Sequence, residues 1–138
     1  MRSYTILYVD DDHDDLLLVS EAFEKHTDDL RVIHAYNGLE ALRILGKMKL
    51  DNSLPCLIIL DINMPVMDGK ETLKAIKDAE HFKEIPAVLF STSTSGPDKK
   101  FAEDLGADFI TKPIKYAHLE NLVEQFVEKC RFEVGNTK

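Results

Sequence analysis

Asp10, Asp11 and Asp61, together with Ser91 and Lys112, are the side chains of this sequence best placed to do chemistry, because each falls just past an apolar run. Carboxylates gathered at one place repel: two unit charges ~4 Å apart oppose each other by about 4 kcal/mol at an effective dielectric of ~20. Either one of them keeps its proton or a cation sits among them. Hard oxygen ligands suit Mg²⁺, which keeps several waters and is often held by one or two carboxylates plus a phosphate oxygen. A carboxylate in such a place can attack phosphorus and form an aspartyl phosphate. Lys112 would supply a positive point charge, and Ser91 a hydroxyl for a phosphoryl oxygen. The acidic run Asp10-Asp11-Asp12-His13-Asp14-Asp15 is denser than solubility requires. With Glu21 it imitates a calcium-binding loop, but the sixth position, which needs glycine for its sharp turn, is Asp15. His13, His26, His34, His81 and His118 show no ligand spacing.

These residues need elements to position them. Residues 4–9, 30–35, 56–60, 87–90 and 108–111 are short apolar or β-favouring runs, the pattern of strands buried on both faces. Between them lie amphipathic stretches that predict helices over 13–25, 39–48, 70–79, 98–105 and 116–130. Asp12 is a natural cap for the first, whose inward face carries Leu16, Val19, Ala22 and Phe23. Asn37-Gly38 opens the second, which turns Ala41, Leu42 and Leu45 inward. Gly106 is suited to end the fourth. Residues 61–69 read as a loop shaped by Met64, Pro65 and Gly69, and residues 91–97 as a loop of small residues.

The 138 residues fit one domain with its own core. A formal charge of −8 makes an unaided grip on nucleic acid implausible. No apolar run approaches a membrane span, and residues 1–4 have no signal-peptide layout. Cys56 and Cys130 lie in no metal-ligand spacing; Cys56 reads as a small core residue, and a reducing, cytoplasmic setting is the simpler expectation.

Five strands alternating with five helices indicate an α/β fold, a doubly wound parallel sheet of flavodoxin-like order 2-1-3-4-5. Ligands of such sheets bind beyond the carboxyl ends of the strands, where strand order reverses. There the first strand delivers Asp10 and Asp11, the third Asp61, the fourth Ser91 and Thr92, the fifth Lys112, and the second only Tyr36 and Asn37. The polar candidates converge on one edge.

Four segments, Val9-Asp10-Asp11, Leu60-Asp61-Ile62-Asn63-Met64-Pro65-Val66-Met67-Asp68-Gly69, Phe90-Ser91-Thr92 and Thr111-Lys112-Pro113, resemble the receiver domains of bacterial response regulators, including the chemotaxis regulator. The resemblance covers essentially the whole chain, and the second segment is highly specific. It implies that Asp61 is the phosphoryl acceptor of a two-component or phosphorelay system. Asp11, Asp61 and the backbone carbonyl of Asn63 would hold Mg²⁺, with Asp10 often acting through water. Lys112 would contact the phosphoryl group across a cis bond to Pro113, and Ser91 and Phe109 would be the switch pair. A sensor histidine kinase or phosphotransfer protein would be the donor, and an unidentified protein the downstream partner; a homodimer stays open. The continued acidic loop is similar to that of small stand-alone receivers. The unit would occupy residues 1–133, with 134–138 a polar tail. Its activity would be autophosphorylation and autodephosphorylation in the service of a switch, not metabolic catalysis. Two competing readings are a haloacid-dehalogenase-type phosphatase with Asp10 as nucleophile, which lacks the family's downstream acidic pair, and an adaptor that keeps the fold without the chemistry.

Overall fold

A computed structural model describes residues 4–26, 30–92, 96–113 and 115–136. Five parallel strands, β1 (Tyr4–Val9), β2 (Leu30–Ala35), β3 (Leu57–Leu60), β4 (Ala87–Ser91) and β5 (Asp108–Thr111), form one sheet in the order β2-β1-β3-β4-β5. Five helices alternate with them: α1 (His13–His26), α2 (Gly38–Leu50), α3 (Gly69–Asp78), α4 (Gly96–Asp104) and α5 (Tyr116–Asn136). This is the expected doubly wound order.

The alternation of side chains along the strands divides the core in two. Ile6, Tyr8, Leu57, Ile59, Val88 and Phe90 face α1 and α5, which bury Leu16, Val19, Phe23, Leu119, Val123 and Phe126. Leu7, Val9, Ile58, Leu60 and Leu89 face α2, α3 and α4, which bury Ala41, Leu45, Leu73, Ile76 and Ala102. With both faces covered, β3 is buried along its whole length, as its uninterrupted apolar sequence predicts.

The helix starts are set by side-chain caps. Asp12 Oδ1 accepts from the backbone N–H groups of Asp14 and Asp15 at 2.9 and 3.2 Å. Asn37 and Asp68 each accept from one backbone N–H, those of Glu40 and Glu71, at the starts of α2 and α3. Gly106 ends α4 at φ 74°, in the left-handed region. The helices differ from expectation mainly at their ends: α4 begins two residues earlier, with Pro97 in its first turn, and α5 runs on to Asn136. Part of the expected small-residue loop, residues 93–95, lies outside the described residues.

The cysteines are a correction. Cys56 and Cys130 form a disulfide with Cα atoms 5.1 Å apart, so Cys56 is not an unpaired core residue. The apolar stripe of α5, Leu119, Val123, Phe126 and Val127, continues to Cys130, and this brings Cys130 over the residue that precedes β3. The inference of a reducing setting from unpaired thiols therefore falls. No helix among the described residues is long and apolar enough to cross a membrane.

Candidate functional site

Three backbone hydrogen bonds carry the sheet's pairing one residue past its strands. The Asp10 N–H donates to the Ala35 carbonyl at 3.0 Å, that of Asp61 to Val9 at 2.9 Å, and that of Lys112 to Ser91 at 2.8 Å. The first residues after β1, β3 and β5 are thus fixed side by side at the carboxyl edge. Asp10, Asp11 and Asp61 each offer a carboxylate oxygen within 4.8 Å of the other two. The sequence convergence of these three aspartates with Lys112 is what the structure contains.

Their environments differ. Asp10 is wholly buried. Its Oδ2 accepts from the Tyr8 hydroxyl and from Lys112 Nζ, both at 2.8 Å, and its Oδ1 accepts from the Asp12 N–H at 3.0 Å. Asp61 lies at the surface edge with its side chain 11% exposed, 3.3 Å from Lys112 Nζ. Burial pushes the Asp61 carboxyl up to about 6, against the pull of Lys112 and with the help of the Asp10 charge. Burial alone would lower the Lys112 ammonium. The carboxylates of Asp10 and Asp15 that accept its hydrogen bonds, with the Asp10 and Asp61 charges, outweigh burial and hold it above its ordinary value. Burial and the neighbouring Asp10 charge raise the Tyr8 hydroxyl, which stays a donor.

The loop after Asp61 is tightly wound. Gly69 donates its N–H to the Ile62 carbonyl at 2.8 Å, and a Cβ at Gly69 would overlap the Asp61 carbonyl oxygen, so only glycine lets α3 start against the acceptor strand. Met67 N–H reaches back to the Pro65 carbonyl at 2.7 Å around Val66, whose φ is 69°. This is a γ-turn with a β-branched residue in the left-handed region, a strained conformation beside the site. Asn63 is exposed in the same loop.

Ser91 is buried at the end of β4, in register with Thr111. Phe109 pairs with Leu89 across β4 and β5, and its half-buried ring packs on the cluster that includes Phe101 and Leu105. The expected cis bond between Lys112 and Pro113 is absent: the peptide is trans. Trans is the lower-energy isomer of an X–Pro bond by about 0.5–1 kcal/mol, and Lys112 reaches Asp10 from it.

Two residues of the site escaped the sequence reading. Asp15 Oδ2 accepts from Lys112 Nζ at 2.8 Å, and Tyr8 supports Asp10 from beneath. Tyr8 was accessible to periodicity, since it lies two residues before Asp10 on one face of β1; Asp15 was not, since its partner lies 97 residues away on another element.

The donor set fits a hard divalent cation. Asp11 is exposed and Asp61 keeps an open edge, whereas both oxygens of Asp10 are taken by protein donors. Direct ligation of such an ion would therefore fall to Asp11 and Asp61, and Asp10 would suit a ligand position filled through water.

Residues 6–124 match the family model described as the response regulator receiver domain. Response regulator Rcp1 of Synechocystis is 34% identical over 122 residues, 86% of this chain and 83% of Rcp1. A solved structure of the Mn²⁺-bound form of Rcp1 matches with TM-score 0.74 at 31% identity, over 88% of this chain and 90% of that one. The phosphorylated cyanobacterial phytochrome response regulator RcpA matches with TM-score 0.83 at 33% identity, over 91% and 92%. A probable cyclic di-GMP phosphodiesterase of Vibrio cholerae is 35% identical over 129 residues, 92% of this chain but 27% of that protein. The chain thus spans about a quarter of that curated relative and over four-fifths of Rcp1.

Proposed function

The chain belongs to the response regulator receiver domain family, a signalling switch of two-component systems, and on that premise we propose that Asp61 is its phosphoryl acceptor. The observation that carries the proposal is the gathering of three carboxylates within 4.8 Å with the Lys112 ammonium 3.3 Å from Asp61. An Asp61 oxygen forms its bond to phosphorus as the bond from phosphorus to the donor's imidazole nitrogen breaks, and the imidazole leaves. With its carboxyl at about 6, Asp61 is mostly ionised at neutral pH and ready to attack. Mg²⁺ held by Asp11, Asp61 and the Asn63 carbonyl, with Asp10 through water, would supply positive charge to the phosphoryl oxygens. Lys112 supplies the second positive group, and the Ser91 hydroxyl a hydrogen bond.

Ser91 then draws toward the phosphoryl oxygen, Phe109 follows inward, and the face of α4, β5 and α5 changes shape for a downstream protein. The half-buried position of Phe109 supports that role. The donor is a sensor histidine kinase or phosphotransfer protein, the receiver unit occupies residues 1–133, and its setting is cytoplasmic. A phosphatase with Asp10 as nucleophile is disfavoured, because both Asp10 oxygens are engaged and the residue is wholly buried.

Incubation with acetyl phosphate and Mg²⁺, read by intact mass, tests the proposal. Wild type should gain one phosphoryl group and Asp61→Asn none. A label that persists in Asp61→Asn and vanishes in Asp10→Asn would move the nucleophile to Asp10.

A further inference from the structure

Asp15 has an ordinary explanation: an acid in the first turn of α1 favours the helix dipole. Asp14 shares that turn and stays exposed. Asp15 is half-buried, and its Oδ2 lies 2.8 Å from Lys112 Nζ, at the opposite end of the chain's sheet connections. An ammonium has three N–H donors and no acceptor. Lys112 Nζ faces three carboxylates: Asp10 and Asp15 at 2.8 Å each and Asp61 at 3.3 Å. The two short contacts come from residues other than the acceptor, and the long one is to the acceptor. The Nζ also lies 5.8 Å from the centre of the Phe90 ring, so an apolar wall stands on its remaining side.

We propose that Asp15 is a positioning residue for Lys112: with Asp10 it occupies two of the three N–H donors and leaves the third directed at Asp61. The proposal rests on Asp61 being the acceptor. When an Asp61 oxygen bonds to phosphorus, its negative charge passes to the phosphoryl oxygens. The third donor can follow that charge while the two anchors stay made, so the ammonium meets the phosphoryl group without rearrangement. Without Asp15 the flexible lysine stem is held at one point only. Its head then settles between Asp10 and Asp61, where it masks the nucleophile and opposes a divalent cation electrostatically.

Lysine-selective ¹H–¹⁵N spectra test the anchor directly. The Lys112 ammonium, identified by its loss in Lys112→Ala, should give a signal protected from solvent exchange in wild type and in Asp14→Asn. In Asp15→Asn that signal should broaden away. The rate of phosphorylation by acetyl phosphate with Mg²⁺ should fall by up to about a hundredfold in Asp15→Asn, the scale of a group misplaced by about 1 Å, with partial recovery in Asp15→Glu and little change in Asp14→Asn. In a Lys112→Ala background Asp15→Asn should have no further effect. An Asp15→Asn loss of full size in that background, an equal loss in Asp14→Asn, or a Lys112 signal unchanged in Asp15→Asn would overturn the proposal. A wild type that takes up no phosphoryl group overturns the reading of Asp61 instead, and leaves the ammonium spectrum to decide on the anchor.

Discussion

The two ends of the sheet are built on opposite terms. At the carboxyl edge, Asp10, Asp15 and Asp61 crowd around one lysine with Asp11 beside Asp10 and Asp61, and the loop beyond Asp61 turns through a strained valine. At the amino edge, Cys56 extends the pairing of β3 by donating its N–H to the Thr5 carbonyl at 2.9 Å, and a disulfide ties that point to α5. One end holds charges that oppose folding until something neutralises them; the other holds a cross-link whose effect is to favour folding. The contrast teaches that chemistry and stability are separated by the length of a strand. Substitutions at the two ends should therefore shift stability with opposite signs.

The largest expected effect lies at the amino edge. The disulfide spans 74 residues, and closing a loop of that length removes chain entropy from the unfolded state worth about 4.5 kcal/mol at most. Reduced protein, or Cys56→Ser, should unfold at distinctly lower urea concentration than oxidised protein. Mg²⁺ affinity should be unchanged, since the bond lies a full strand from the aspartates. Equal stability of the oxidised and reduced forms would remove the contrast.

Next comes the metal. A cation that binds only the folded state stabilises it by about 2.7 kcal/mol when present at a hundred times its dissociation constant. Thermal unfolding of wild type should rise with added Mg²⁺, and that rise should be lost in Asp61→Asn. A rise of equal size in Asp61→Asn would take Asp61 out of the cation site.

Without metal, Asp61→Asn should be more stable than wild type at pH 7. Burial raises the Asp61 carboxyl from 3.8 to about 6. Between those values the folded state binds the more protons, so stability falls as pH rises through the window. Removing the ionisation should recover on the order of 2 kcal/mol at pH 7, the shift being already the net of burial against the attraction to Lys112. The advantage should vanish below about pH 4, where the carboxyl is protonated in both states. Urea unfolding of the two proteins at pH 4 and pH 7 checks the sign.

How far the sequence foresaw this contrast depends on the range of the signal. Strands buried on both faces write themselves as continuous apolar runs, so β3 and β4 were legible, and with them the residues that follow each strand. The gathering of Asp10, Asp11, Asp61 and Lys112 needed only strand order. What stayed hidden depended on side chains meeting across elements. Cys130 lies on the buried stripe of α5, but nothing local shows which strand that stripe covers at its far end. Asp15 reads as a helix-start acid, since its second partner arrives 97 residues later. The trans bond before Pro113 follows the intrinsic preference of an X–Pro dipeptide; the cis expectation came from the family resemblance alone.

The smallest effect tests whether the carboxyl edge holds strain as well as charge. Val66 is 75% exposed, so its side chain contributes little burial, yet its backbone sits at φ 69°. A residue in such a region is disfavoured by about 1–3 kcal/mol. Glycine adopts it freely but loses roughly 0.5–1 kcal/mol more entropy on folding. Val66→Gly should therefore stabilise the domain by about 1 kcal/mol, read as a higher urea midpoint with an unchanged slope. The turn from Pro65 to Met67 would be kept, and with it the approach of Gly69 to the Asp61 carbonyl. A destabilised Val66→Gly would mean that the loop holds no strain to release, and the opposition between the two edges would then be one of charge alone.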